Sequence, residues 1–129
     1  MTTKTYGMVT KRIFIVEDHP MMQVAYQRLI ESDPTLALCG IAGSAEKALA
    51  QVLTLHPDVV VVDVSLKGVD GLELTETLMQ YNRDLCIVVV SGHESAALEQ
   101  EVLRLGAKAY LPKRKIHQLT TLVDTICAR

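Results

Sequence analysis

A run of four valines that ends in aspartate, VVVVD at positions 59–63, constrains this 129-residue chain more than any other feature. Apolar runs without polar alternation are typical of strands buried on both faces, as at the centre of a parallel sheet. Open α/β sheets build their sites outside the carboxyl ends of such strands. Asp63, where this strand would emerge, is therefore the first candidate for a functional side chain.

The composition favours one ordinary globular domain, which we expect to cover 11–129 after a flexible tail at 1–10. Hydrophobic residues make up 49% of the chain, and 13 basic and 15 acidic residues give a net charge of −2. This balance provides no electrostatic footprint for nucleic acid over the whole chain. No segment resembles a signal peptide or a membrane span, which predicts a cytoplasmic protein without a membrane partner.

The cysteines and histidines give no sign of a metal centre. The cysteines are far apart and lack metal-ligand spacing, so we expect small buried hydrophobic side chains in a reducing cytosol: Cys39, Cys86 and Cys127. The four histidines share no i, i+3 or i, i+4 spacing, which argues against a zinc site.

Apolar periodicity predicts five alternating strands and helices. Strands are expected at 12–18, 36–41, 59–63, 86–92 and 107–112. Pro20 suits the first turn of the first helix, Ser44 suits the N-cap of the second, and Gly106 fits the end of the fourth. Right-handed crossovers then give an α/β fold, a doubly wound five-stranded parallel sheet of flavodoxin-like order 2-1-3-4-5.

In this topology the carboxyl ends of strands 1, 3, 4 and 5 meet at one edge of the sheet. These ends carry Glu17 and Asp18, Asp63, Ser91 and Lys113. Each residue alone is explained equally well as a cap, a turn or a solvated side chain. Three adjacent carboxylates, however, are unfavourable unless a cation joins them, and Mg²⁺, with Mn²⁺ as a substitute, prefers oxygen ligands. The hydroxyl and the ammonium group would complete a site complementary to a phosphoryl group, with Asp63 as nucleophile.

Four segments, in order along the chain, carry a family resemblance: IVEDHP, VVDVSLKGVDGLEL, VVVSGHE and GAKAYLPK. From about residue 11 to residue 127 the chain resembles response-regulator receiver domains of bacterial two-component systems, in particular those that precede a helix-turn-helix DNA-binding domain. The resemblance implies a phosphoprotein that receives a phosphoryl group from a histidine kinase or a phosphotransfer protein in an Mg²⁺-dependent reaction. It implies no catalysis beyond self-phosphorylation and slow dephosphorylation.

The resemblance also assigns the roles at the phosphorylation site. Asp63 is the phosphoacceptor, and Lys113 pairs with the phosphoryl group. Glu17 and Asp18 match the metal-binding acids, and the backbone carbonyl of Ser65 would be a further metal ligand beside Asp63. Glu17 stands where Asp is frequent, and its extra methylene lets it reach the metal directly or through water.

A second group of residues matches the conformational switch of receivers. Ser91 corresponds to the switch hydroxyl and Tyr110 to the switch aromatic, whose movement would change the face made by the fourth helix, fifth strand and fifth helix. Ser65 and His93 occupy positions that tune acyl-phosphate hydrolysis. Lys67 replaces a frequent proline, and we expect it to alter loop mobility or partner contacts.

Several functional alternatives remain open at this point. The chain is a receiver that regulates transcription through an output domain outside it, or a single-domain receiver that acts by protein contact. A haloacid-dehalogenase-like phosphatase and a receiver-like module that only binds are less favoured. A homodimer through the switch face or the first helix is a further alternative. DNA contact is expected only through an output domain, because the basic run 113–115 is short.

Overall fold

The computed structural model of the protein describes residues 10–64 and 71–127. The expectations for the first nine residues, for Ser65 and for Lys67 lie outside the described residues. Within the described ranges, no helix has the length and apolar content needed to cross a membrane.

Five parallel strands alternate with helices, and their spatial order β2-β1-β3-β4-β5 confirms the predicted fold class. The elements are β1 (Lys11–Val16), α1 (Pro20–Glu31), β2 (Leu36–Ala42), α2 (Ala45–Leu55), β3 (Val59–Asp63), α3 (Gly71–Tyr81), β4 (Cys86–Ser91), α4 (Ala96–Arg104), β5 (Ala109–Pro112), a 3₁₀ helix (Lys113–Gln118) and α5 (Leu119–Ile126).

The sheet divides the hydrophobic core into two layers because successive strand residues point to opposite faces. One layer combines Phe14, Val60 and Ile87 of the strands with residues of α2, α3 and α4. The other combines strand residues such as Val61 and Val88 with residues of α1 and α5. Every residue of β3 is buried, as its uninterrupted apolar run predicts.

The predicted helix ends at Ser44 and Gly106 are confirmed. The Ser44 hydroxyl accepts a hydrogen bond from the Lys47 N–H at 3.2 Å, which caps α2. Gly106 has a φ of +114°, and its N–H donates to the Leu103 carbonyl. The N–H of Ala107 donates to the carbonyl of residue 102. Together these two bonds form a Schellman closure of α4.

Several strand boundaries differ from the predicted ones by one or two residues, and three differences have a structural explanation or consequence. β1 ends at Val16, so the two acids after it belong to the loop rather than to the strand. β5 begins at Ala109 rather than at Ala107, because the N–H of Ala107 is already used to close α4. The last helical stripe is split into the 3₁₀ helix and α5, and Lys115 has non-helical dihedral angles at the junction.

The expectation for the cysteines is wrong in one respect. Cys86 and Cys127 are buried, as expected, but they are joined by a disulfide, and their Cα atoms lie 5.8 Å apart. Cys39 is a free thiol. The pairing arises because the start of β4 and the residue after α5 come to the same end of the sheet, a proximity that their separation of 41 positions conceals.

Gly71 is required by the close approach of α3 to the end of β3. A Cβ atom at this position would lie 2.8 Å from both the carbonyl oxygen of Asp63 and the Cα atom of Val64. Both are backbone atoms, so neither can move aside without shifting the candidate functional residue.

We predict that Gly71→Ala lowers the free energy of unfolding by about 1–3 kcal/mol, the usual cost of overpacking. Gly92→Ala is the matched control, because a Cβ there meets nothing within 4 Å, and it should change stability by less than about 0.5 kcal/mol. Urea unfolding of the two variants measures both values. Equal stabilities would contradict the steric explanation.

Candidate functional site

Asp63 is the last residue of β3 and the centre of the candidate site. Its side chain is only 1% exposed although the strand ends there. Its position pairs with Val90 of β4 on one side, and the start of α3 packs against its backbone. A carboxylate in this setting is held by the sheet itself rather than by a mobile loop.

Glu17 and Asp18 follow β1 and lie beside Asp63. Carboxylate oxygens of the three residues all lie within 4.8 Å of one another. Glu17 is fully buried, and its carboxylate accepts a hydrogen bond from the His19 N–H at 3.1 Å. The Gln23 amide in the first turns of α1 donates to the Glu17 carbonyl at 2.7 Å. Backbone and side chain are both fixed, so Glu17 points into the cluster.

Lys113 brings a positive charge into contact with two of these acids. Its Nζ lies 2.9 Å from Asp63 Oδ2 and 3.4 Å from Glu17 Oε1. Burial of the ammonium group lowers the pKa of Lys113, but the hydrogen bond and charge of Asp63, together with Glu17, outweigh it and raise the pKa. Lys113 therefore stays charged and neutralises part of the cluster.

Glu17 shows that the acids exceed what one lysine neutralises. Burial raises the pKa of Glu17, and the charge of Asp63 raises it further, against the lowering effects of the His19 N–H and Lys113. A buried carboxylate in this position gains from another cation. The cluster offers only oxygen donors from the three acids, and this donor set fits a hard divalent ion such as Mg²⁺.

Ser91 and Tyr110, the predicted switch residues, are connected through the backbone of His93. Ser91 ends β4 and is buried, and its hydroxyl accepts a hydrogen bond from the His93 N–H at 3.1 Å. The Tyr110 hydroxyl donates to the carbonyl of His93. The imidazole of His93 belongs to an exposed residue at the rim of the site.

The basic run after β5 is divided between two roles. Lys113 turns toward the acids, whereas Arg114 forms an ion pair with Glu94 in the loop before α4. Two of the three basic residues of the run are therefore engaged by acids of the protein itself. This leaves little of a continuous basic surface.

The sequence did not predict the contribution of two α1 residues to the surroundings of the acids. Gln23 fixes the Glu17 backbone, but a polar residue in a first helical turn carries no signal for such a contact. Tyr26 is fully buried, and its closeness to the acids cannot be read from its position in the sequence. Its burial and the charges of Glu17 and Asp63 raise the pKa of its phenol, which places a neutral hydroxyl in the field of the acids.

Most of the chain matches the model of a known protein family. Residues 13–124 match the family model of the response regulator receiver domain. The chain belongs to this family. Receiver domains bind Mg²⁺ in an acidic pocket of the kind that Glu17, Asp18 and Asp63 form.

Individual relatives agree with this family. A GacA response regulator of Pseudomonas viridiflava is 32% identical over 102 residues, which cover 79% of this chain and 48% of the relative. A protein-glutamate methylesterase/protein-glutamine glutaminase 1 of Syntrophus aciditrophicus (strain SB) is 35% identical over 107 residues, covering 81% and 31%. The receiver chain therefore spans less than half of each of these relatives.

A solved structure shows the same fold at similar identity. The structure of a LuxR-family two-component response regulator from Aurantimonas sp. SI85-9A1 has a TM-score of 0.88 and 32% identity, and the alignment covers 92% of this chain and 86% of that one. The receiver is therefore similar to domains found in regulators with different names and different total lengths.

We predict that Glu17→Gln raises the thermal midpoint of the receiver in metal-free buffer, because the variant removes a charge whose burial is unfavourable. The same variant should show a smaller increase of the midpoint on addition of Mg²⁺, since one acid is lost. Scanning calorimetry with a chelator and with millimolar Mg²⁺ measures both effects.

Glu76→Gln is the control, because Glu76 is exposed on α3 and belongs to no acid cluster among the described residues. It should leave both midpoints close to those of the parent chain. A Glu17→Gln variant that is less stable without metal and equally stabilised by Mg²⁺ would contradict the electrostatic account.

Proposed function

We propose that this receiver stores a phosphoryl group on Asp63 and thereby regulates an output function. The observation that carries the proposal is the contact of 2.9 Å between the Lys113 ammonium group and Asp63, beside two further acids. This set provides a nucleophile, a fixed positive charge and a cation site in one place. A histidine kinase or a phosphotransfer protein is the proposed donor.

The metal in this proposal is Mg²⁺, with Mn²⁺ as a substitute. Glu17, Asp18 and Asp63 would hold it, and the Ser65 carbonyl is a further ligand implied by the family resemblance. When bound, the ion supplies positive charge that offsets the repulsion between the acids and the incoming phosphoryl oxygens.

Asp63 and Lys113 divide the work of phosphoryl transfer. A carboxylate oxygen of Asp63 forms the new O–P bond as the bond from phosphorus to the donor nitrogen breaks. Lys113 lies within reach of the phosphoryl oxygens and stabilises their charge in the transition state. Asp63 itself is almost fully buried, so bulk water has limited access to the acyl phosphate, and hydrolysis is slow.

The switch is proposed to run from Ser91 through His93 to Tyr110. The Ser91 hydroxyl uses its oxygen to accept from the His93 N–H, which leaves its own proton for donation to a phosphoryl oxygen. A shift of Ser91 toward the phosphoryl group would move the His93 backbone, which holds the Tyr110 hydroxyl. Coupling of this kind is typically worth about 1–3 kcal/mol.

Transcription control through a DNA-binding output domain is the proposed purpose of the switch. It is supported by a DNA-binding transcriptional activator, DevR/DosR of Mycobacterium tuberculosis, which is 32% identical over 79% of this chain. The switch face of α4, β5 and α5 would carry the signal to that domain or to a second receiver. Such regulators act in the cytoplasm, which we propose for this one.

Phosphorylation provides the first test. Incubation with acetyl phosphate and Mg²⁺ should label the receiver, and Asp63→Asn should abolish the label. Intact mass in acid quench records the added phosphoryl group. Asp84→Asn is the control, because Asp84 is exposed in the loop before β4 at the opposite edge of the sheet. Labelling of Asp63→Asn at the parental level would refute the assignment.

Fluorotyrosine NMR tests the switch. We expect the Tyr110 resonance, identified through Tyr110→Phe, to shift when beryllofluoride and Mg²⁺ are added, and the shift to shrink in Ser91→Ala. Tyr81 is an internal control, because it is exposed at the end of α3 far from the site. A Tyr110 resonance that does not respond would exclude the proposed route.

A further inference from the structure

The disulfide between Cys86 and Cys127 lies outside the phosphorylation site. Cys86 begins β4 and Ser91 ends it, so their Cα atoms lie about 17 Å apart at about 3.3 Å per residue. Cys127 follows the last residue of α5. The bond therefore ties the end of α5 to the amino end of a central strand.

The covalent ring closed by this bond contains residues 86–127, which include the predicted switch residues. It runs from β4 through α4, β5 and the 3₁₀ helix to α5. Ser91, Tyr110 and Lys113 all lie within it. A change of the bond thus acts on the same segment that phosphorylation is proposed to move, but from the opposite edge of the sheet.

A cavity lies beside the disulfide. Both cysteines line a cavity of about 410 Å³ with residues of three loops and helix ends, among them Pro57, Tyr81 and Lys108. Each cysteine is only 6% exposed, and the cavity provides an approach to the bond for a small thiol.

We propose that Cys86 and Cys127 form a redox modification site, at which thiol–disulfide exchange sets how firmly α5 is held to the sheet. A thiolate of a dithiol reductant attacks one sulfur, and the other leaves as a thiolate and takes up a proton. The second thiol of the reductant then displaces the protein sulfur, so the reductant leaves as a disulfide and the receiver carries two thiols. A small disulfide, such as oxidised glutathione, drives the reverse reaction.

Cys39 provides an internal comparison. It is a half-buried residue of β2 with no disulfide partner among the described residues, and burial raises the pKa of its thiol. It is therefore expected to stay reduced and to react slowly. Its behaviour separates a built redox site from general oxidation of the chain.

The experiment equilibrates the native receiver in glutathione buffers of increasing oxidised fraction, followed by acid quench, alkylation and mass analysis. We expect a reversible change from three alkylated cysteines to one, with Cys39 as the remaining thiol. Cys39→Ser should change from two to none, and Cys127→Ser should form no intramolecular bond. Circular dichroism confirms that both redox forms are folded.

Amide hydrogen exchange measures how firmly α5 is held to the sheet in each redox state. Reduction should accelerate amide exchange in α5 by about tenfold or more, while exchange in α2 stays unchanged. Cys127→Ser should exchange rapidly in α5 under both conditions. Any of three results would overturn the proposal. The first is that all three cysteines remain alkylatable in excess oxidised glutathione, and the second is that the disulfide is reduced only after the protein unfolds. The third is that amide exchange in α5 is the same in both redox states.

Discussion

Repulsion among the acids at the mouth of β3 is the constraint on which the rest of the site depends. Glu17, Asp18 and Asp63 lie close enough to share one cation, and Lys113 offsets only part of their charge. The surrounding structure supplies what such a cluster needs: a rigid strand under Asp63, two hydrogen bonds that fix Glu17, and a fully packed core beneath. Holding the acids together has a local cost in stability, which a bound cation would offset.

The fold followed from the sequence because its signals are local and repeated. The apolar run that ends at Asp63 identifies a central strand, and Ser44 and Gly106 mark helix ends through their own backbone chemistry. Predicted strand and helix boundaries were less accurate where one backbone N–H could form a hydrogen bond in either of two elements. Ala107 closes α4 with the N–H that a longer β5 would need, and no residue pattern encodes that choice.

The site was predictable as a set of residues but not as a set of contacts. Strand ends of a parallel sheet converge, so the positions of Asp63 and Lys113 imply proximity without distances. The Gln23 bond to the Glu17 backbone and the pairing of Cys86 with Cys127 depend on three-dimensional approach between segments that the linear pattern treats as independent. These contacts required the structure.

The connection between Ser91 and Tyr110 passes through main-chain atoms of residue 93, with its N–H on one side and its carbonyl on the other. Every amino acid except proline offers both groups. The side chain at position 93 is therefore not needed for this connection. A substitution at position 93 by any residue other than proline can change the surface of the site while the two hydrogen bonds between Ser91, residue 93 and Tyr110 are kept.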